Sequence, residues 1–149
     1  MTLRLVPAIH RATHAIALLI DRAPDLGVTQ AEAHVLSHLA DRGQATIAEI
    51  HQAFGHKRST LTSVLDRLET RQLITREVNA DDRRSFVVAL TRQGRSLATK
   101  VSVHLEGLEA DIRKRFSRTD LEAFERVVTA VAELADREKA AARGAARPG

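Results

Sequence analysis

Residues 57–69 read Lys57-Arg-Ser-Thr-Leu-Thr-Ser-Val-Leu-Asp-Arg-Leu-Glu69, and the fold assignment depends on this pattern. Leucines recur at three- and four-residue steps, at positions 61, 65 and 68, which predicts a helix over 57–71 with one apolar face. The opposite face and its flanks carry polar side chains, namely Ser59, Ser63, Asp66 and Thr70 opposite, Thr60, Thr62 and Arg67 beside them, and Lys57 and Arg58 in the first turn. Short hydroxyls can approach bases and phosphates closely, and arginine can pair with guanine. Four hydroxyls within five positions favour nucleic-acid recognition over the alternative, an ordinary solvated helix.

The segments on either side complete a recognisable order of elements. Thr29-Gln-Ala-Glu32 and Thr46-Ile-Ala-Glu49 are capping boxes, each predicting the start of a helix. After the 57–71 helix, residues 73–78 and 85–90 are rich in β-branched and apolar side chains, which predicts a hairpin with a polar tip at 79–84. Three closely spaced helices and a hairpin indicate a winged helix-turn-helix over residues 27–92, in a mainly α (α+β) fold.

Long amphipathic segments lie outside that unit, at residues 1–24 and 93–138. Their apolar stripes exceed what the rest of one chain could cover, so they are predicted to be the dimerisation helices of a homodimer. Ser117 and Asp120 predict the start of the last helix, and residues 139–149 are predicted to be a frayed tail with nothing to bury.

Charge and composition point to duplex DNA. The chain has 149 residues with 23 Lys+Arg and 19 Asp+Glu, and residues 54–95 alone hold nine basic and five acidic groups, an excess equal to that of the whole chain. This basic middle suggests a polyanionic partner, against the alternative of an ordinary basic surface. Four Phe and no Tyr or Trp argue against single-strand readers, which need aromatic platforms.

Several function classes are disfavoured by the same inventory. The absence of cysteine excludes disulfides and thiol chemistry, and no Ser-His-Asp context, glycine-rich phosphate loop or His-Glu-x-x-His motif indicates an enzyme. No apolar run approaches the length of a membrane span and no signal peptide is recognisable, so a cytoplasmic protein without a membrane partner is expected. A winged helix that binds a protein partner remains an alternative, disfavoured by the basic helix and wing.

The hairpin tip, Asn79-Ala-Asp-Asp-Arg-Arg84, is the second candidate contact. Arginine on a thin loop, at Arg83 and Arg84, suits the narrow minor groove of DNA. Asp82 can stiffen the tip by accepting hydrogen bonds from backbone amides or from Arg84. The alternative is a solvated charged turn.

Residues 57–69, Leu73-Ile74, Asp82-Arg-Arg-Ser85 and Leu90-Thr-Arg-Gln-Gly94 together resemble the MarR family of transcriptional regulators. The resemblance implies a homodimer on a pseudo-palindromic operator in double-stranded DNA, with recognition helices in successive major grooves and wings in minor grooves. It implies that Arg84 is the minor-groove arginine supported by Asp82, and that Ser59, Thr60, Thr62, Ser63 and Arg67 are recognition-helix positions. It also implies a repressor released by a small-molecule effector. Two departures concern the helix ends, because Gln72 replaces a usual glycine and Lys57 a usual serine cap.

Histidines are the candidate effector residues. His10 and His14, and likewise His34 and His38, are four apart and so share a helical face, which could hold an organic anion or a metal. Ala33 stands where relatives often place a pocket aromatic. Zinc-responsive relatives suggest a second possibility, in which His34, His38 and His104 are weak candidate ligands. Zinc itself is not expected, and neither is any cofactor. The remaining alternative is that these are surface or interface histidines, and His56 is either a phosphate contact or a loop residue.

Overall fold

The computed structural model describes residues 3–55 and 57–145, without the side chains of residues 139, 140 and 142–145. Its elements are α1 (Leu5–Asp21), α2 (Gln30–Arg42), β1 (Gln44–Thr46), α3 (Ile47–Phe54), α4 (Arg58–Thr70), β2 (Ile74–Val78), β3 (Phe86–Leu90), α5 (Arg92–Arg115) and α6 (Arg118–Ala145). The predicted order of helices and hairpin is confirmed, with one additional short strand. The prediction for His56 lies outside the described residues.

Both predicted capping boxes are present. The Thr29 hydroxyl accepts a hydrogen bond from the Glu32 amide at 3.3 Å, and the Glu32 carboxylate accepts one from the Thr29 amide at 2.9 Å. Thr46 and Glu49 make the same reciprocal pair at 3.2 and 2.7 Å. These bonds satisfy amides that the first helical turn leaves free, so α2 and α3 begin where their local sequence directs.

A three-stranded antiparallel sheet in the order β1-β3-β2 forms the wing and its base. The hairpin pairs Ile74 with Leu90 and Val78 with Phe86. The sequence did not predict β1, because three residues carry no period of their own. This strand exists only because Ala45 lies opposite Val88 of β3.

The core lies between the helix-turn-helix and the sheet. Leu36, Leu39, Ile50, Leu68 and Val88 are fully buried there. Ile20 of α1 and Ala98 and Val101 of α5 are buried in the same cluster. The chain divides into two compact units between residues 105 and 106, inside α5.

The second unit comprises the end of α5 and α6. Its predicted cap is confirmed, since the Ser117 hydroxyl accepts from the Asp120 amide at 3.2 Å and Asp120 accepts from the Ser117 amide at 3.1 Å. The tail predicted over 139–149 overlaps the end of α6, which continues to Ala145, and residues 146–149 lie outside the described residues. Alanine, lysine and arginine are strong helix formers, which favours continuation of the helix here. None of the described helices combines the length and apolarity that a membrane crossing requires.

Candidate nucleic-acid interface

Helix α4 presents the face that its leucine spacing predicts. Leu61, Leu65 and Leu68 are buried, and Val64 joins them. The predicted contact residues on this helix and at its start are exposed, namely Lys57, Arg58, Ser59, Thr60, Thr62, Ser63 and Arg67. The exposed surface is a polar strip along the length of a rigid helix.

Two hydroxyls on that strip are held by the helix itself. The Thr62 hydroxyl donates to the Arg58 carbonyl at 2.9 Å, and the Ser63 hydroxyl donates to the Ser59 carbonyl at 3.0 Å. Their hydrogen atoms point along the helix, so the oxygen lone pairs face outward as acceptors. The Lys57 side chain makes no capping hydrogen bond, which accords with its departure from the usual serine.

One flank of α4 is attached to α2 through charge. Arg67 donates from Nε to Oε1 of Glu32 at 2.8 Å, and Arg71 Nη1 lies 3.7 Å from Oε2 of the same carboxylate. Glu32 is only 3% exposed, whereas the Arg67 side chain is 51% exposed. Burial alone raises the pKa of Glu32, but the hydrogen bonds from Arg67 and the Thr29 amide, with the charge of Arg71, hold that pKa below its ordinary value.

The other flank of α4 is attached to β2. Arg76 lies 2.5 Å from both Asp66 and Glu69, through Nη2. These two carboxylates raise the pKa of Arg76 further above its ordinary value. Arg76 thereby offsets one of the two negative charges on this flank, which weakens their repulsion of a polyanion from the helix.

The wing tip is a compact hydrogen-bonded turn. Asp82 accepts from the Arg84 amide at 3.0 Å, and the Ser85 amide and hydroxyl both donate to the Asp82 carbonyl, at 2.9 and 3.0 Å. Asn79 closes the turn by donating from its amide to the Ser85 carbonyl at 2.9 Å. Asp82 therefore stiffens the tip through a backbone amide, one of the two predicted possibilities, and Arg83 and Arg84 are exposed on it.

A groove of about 400 Å³ runs between α3, α4 and the wing. Arg58 lines it from the helix side and Arg84 from the wing side, with His51 of α3 and Thr62 between them. Sequence spacing did not bring Arg58 and Arg84 together, because they lie on separate elements. Arginine side chains are common ligands of phosphate groups, so the lining of this groove has the chemistry of an anion-binding surface.

The predicted effector residues do not converge on one site. His10 and His14 are exposed on α1, and Ala33 is 1% exposed inside the core. His34 stacks on Phe54 with ring centroids 5.8 Å apart, and His38 meets the same ring edge-on at 5.3 Å.

His104 lies at another place in the fold, where its Nε2 is 3.0 Å from Asp25. A backbone hydrogen bond in the loop lowers the pKa of Asp25 below its ordinary value, and the hydrogen bond and charge of His104 lower it further. Over the described ranges, 3–55 and 57–145, no three His, Cys, Asp or Glu side chains are grouped as metal ligands. The structure thus offers no support for the zinc alternative.

A different groove, which the sequence did not predict, lies along α1. It has a volume of about 530 Å³ and is lined by Ala15, Leu18, Leu19, Arg22, Ala23 and His104. Four of the six side chains are apolar, while Arg22 and His104 supply positive or hydrogen-bonding groups. The only signal for it in the sequence was the spacing of the α1 stripe, since His104 lies far along the chain.

Comparison with known proteins identifies the family. The model of the MarR family matches residues 26–85. The HTH-type transcriptional regulator PecS of Dickeya dadantii is 36% identical over 114 residues, which cover 70% of this chain and 68% of that protein. The HTH-type transcriptional repressor MdtR of Bacillus subtilis is 40% identical over 68 residues, 46% of this chain, and the match spans only 44% of its own length.

A solved structure extends the similarity to the fold of almost the whole chain. The Staphylococcus aureus MepR–DNA complex superposes with a TM-score of 0.77 at 21% identity, covering 89% of this chain and 98% of that one. The PecS match, together with the family model, shows that the chain belongs to the MarR family of winged helix-turn-helix transcriptional regulators.

Proposed function

We propose that this chain is a sequence-specific regulator that binds double-stranded DNA as a homodimer in the cytoplasm. The observation that carries the proposal is the polar face of α4, which continues across a two-arginine groove to the exposed wing tip. MepR, which shares the fold, has been solved in complex with DNA. A helix of this kind fits the major groove, and base edges there carry the sequence information.

The proposed contacts divide by element. On α4, Ser59 and Thr60 approach base edges or phosphates, while the acceptor oxygens of Thr62 and Ser63 face hydrogen-bond donors on base edges. Lys57 and Arg58 neutralise the DNA backbone. In the wing, Arg84 enters the minor groove with Arg83 beside it, and Asp82 keeps the turn rigid.

The homodimer is proposed from apolar side chains that one chain leaves exposed. Phe116, Phe124 and Leu134 of the second unit are 56%, 61% and 59% exposed, and Leu5 of α1 is 65% exposed. A two-fold dimer covers such surfaces and presents two recognition helices, so its operator is a pseudo-palindrome with half-sites about one helical turn apart.

We further propose that the protein represses transcription and is released by an organic anion. MdtR is named a repressor. The groove along α1 supports the second part, because Leu18 and Leu19 offer apolar contact and Arg22 offers a cation for a carboxylate. Arg22→Gln is expected to abolish release by small aromatic carboxylates, tested as probes in a DNA-binding assay, and to leave DNA affinity itself unchanged.

Fluorescence anisotropy tests DNA binding. A duplex is selected from a random pool with the wild-type protein, and a scrambled duplex of equal length is the competitor. Arg84→Ala should weaken binding to the selected duplex and reduce the slope of log K against log salt by about 0.9 for each lost phosphate contact. Arg118→Ala, which removes an exposed arginine of the second unit, is the matched control and should leave the slope unchanged.

Failure of the random pool to yield any enriched sequence would contradict a sequence-specific regulator. Equal loss for the Arg84 and Arg118 variants would contradict the role of the wing while leaving general DNA binding in place.

A further inference from the structure

Glu32 is the only buried charged side chain in the described part of the chain. It occupies the third position of α2, where its Oε2 accepts from the Thr29 amide at 2.9 Å. Its helix is anchored by Val35 and Leu36, which are 1% and 0% exposed. The carboxylate is therefore fixed in direction by both a backbone bond and the core.

This fixed carboxylate meets the recognition helix. Its other oxygen, Oε1, accepts from Nε of Arg67 at 2.8 Å, and Nη1 of Arg71, the residue after α4, lies 3.7 Å from Oε2. Because Nε makes the bond, the two terminal nitrogens of Arg67 stay available at a side chain that is half exposed. Glu32 thus fixes the direction of the Arg67 guanidinium and offsets part of its positive charge.

On the opposite flank of α4, the charges are reversed, because the helix supplies the acidic groups and its neighbour supplies the arginine. There Asp66 and Glu69 of the helix meet Arg76 of β2. Rotation of α4 about its axis would lengthen the ion pairs on both flanks. The exposed strip between the flanks carries uncharged hydroxyls, among them Ser59 and Ser63.

We propose that Glu32 is a positioning residue for operator discrimination, which sets the roll of α4 and the aim of Arg67. The proposal rests on the DNA-binding function proposed above. An arginine paired with Glu32 attracts an arbitrary phosphate less strongly than a free one, while its terminal nitrogens still reach a correctly placed acceptor. The ion pair therefore raises the ratio of specific to non-specific affinity.

The test compares Glu32→Gln with Glu49→Gln. Both glutamates are the last residue of a Thr-x-x-Glu capping box and accept from the amide of their threonine, and Glu49 also accepts from the Thr46 hydroxyl at 2.9 Å. Glutamine is accepted at this position of a capping box, so both variants keep an acceptor for the helix start. Only Glu32 holds a recognition-helix arginine, so Glu49→Gln controls for the loss of a capping charge.

Binding of the full-length variants is measured on the selected and scrambled duplexes over a range of salt. For Glu32→Gln, we expect weaker binding to the selected duplex, tighter binding to the scrambled one, and a ratio about tenfold lower. The salt slope on scrambled DNA should steepen, because Arg67 and Arg71 are released to phosphates. Glu49→Gln should keep the wild-type ratio and slope.

A second variant, Arg67→Lys, retains the cation but lacks the planar fork that Glu32 aims. It should lower the ratio similarly, and the double variant with Glu32→Gln should lower it no further. Thermal unfolding of each variant confirms that the folded protein is being assayed.

An equal fall on both duplexes for Glu32→Gln, or an unchanged ratio, would overturn the positioning role. Absence of any sequence preference in the wild type would instead contradict the DNA-binding proposal, so the two failures are distinguishable.

Discussion

Gln72 has a backbone conformation that is unfavourable for a residue with a side chain. Its φ is +58°, in the left-handed region, and it is the only described non-glycine residue with positive φ. The turn is held there because the Thr91 hydroxyl donates to the Gln72 carbonyl at 2.7 Å. The chain therefore keeps the left-handed turn at this position, although glutamine replaces the usual glycine.

Replacing Gln72 by glycine should stabilise the protein by about 0.5–1 kcal/mol, since relief of the left-handed strain exceeds the added chain entropy. Urea denaturation at a fixed protomer concentration measures the change. Gln93→Gly, in the first turn of α5, should destabilise, as glycine does in an ordinary helix. Destabilisation by both substitutions would show that Gln72 is not strained.

Gly94 packs its α-carbon against the same turn. A Cβ at this position would lie 1.8 Å from the Leu73 carbonyl oxygen, which accepts from the Thr91 amide at 3.0 Å. Gly94→Ala should therefore destabilise by about 3 kcal/mol or more, because a backbone group has to move.

Gly107 supplies the matched control on the same helix. A Cβ there has nothing within 4 Å, so Gly107→Ala should stabilise by about 1 kcal/mol through helix propensity. Unfolding by urea reads out both variants, and similar effects of the two alanines would refute the close approach at Gly94.

At the scale of elements, the junction between α2 and α4 depends on pH. The pKa of Glu32 is lowered in the folded state, so ionisation stabilises the fold. That contribution is fully present above the ordinary value of about 4.3 and is lost as pH falls through the lower folded value.

Glu32→Gln should therefore cost about 1–2 kcal/mol at pH 7 and progressively less below pH 4.3. Denaturant titrations of the wild type and the variant at several pH values measure the difference. Glu49→Gln, at an exposed carboxylate, should show a smaller gap, and a gap for Glu32→Gln that widened with acidity would contradict the assigned direction.

At the scale of the whole molecule, assembly depends on the apolar surface of the second unit. Phe124→Asp places a charge on a side chain that is 61% exposed in one chain and is proposed to be covered in the dimer. We expect a folded monomer by sedimentation and at least a tenfold loss of operator affinity, because two half-sites are no longer joined.

Val78→Asp is the control for this change. Val78 is 56% exposed on β2, in the wing, so its replacement should leave the dimer intact. A Phe124 variant that sediments as the wild type does would remove this part of α6 from the proposed interface.

Local signals in the sequence determined where the helices begin, which faces they bury and where the chain changes to strands. Thr29 with Glu32 and Thr46 with Glu49 are three residues apart, and the leucines of α4 recur within one helix. Interactions this short are encoded by neighbouring residues, so a single sequence shows them directly. The residues of the recognition helix and wing could be named for the same reason.

Tertiary structure alone decided which distant side chains meet. Glu32 and Arg67 are 35 positions apart, Ala45 needs Val88 to form a strand, and His104 joins α1 only through packing. No period or motif records such pairs, because each depends on how complete elements dock. The sequence therefore determined the elements and the polar face of α4, whereas docking decided its roll, its ion pairs and the groove along α1.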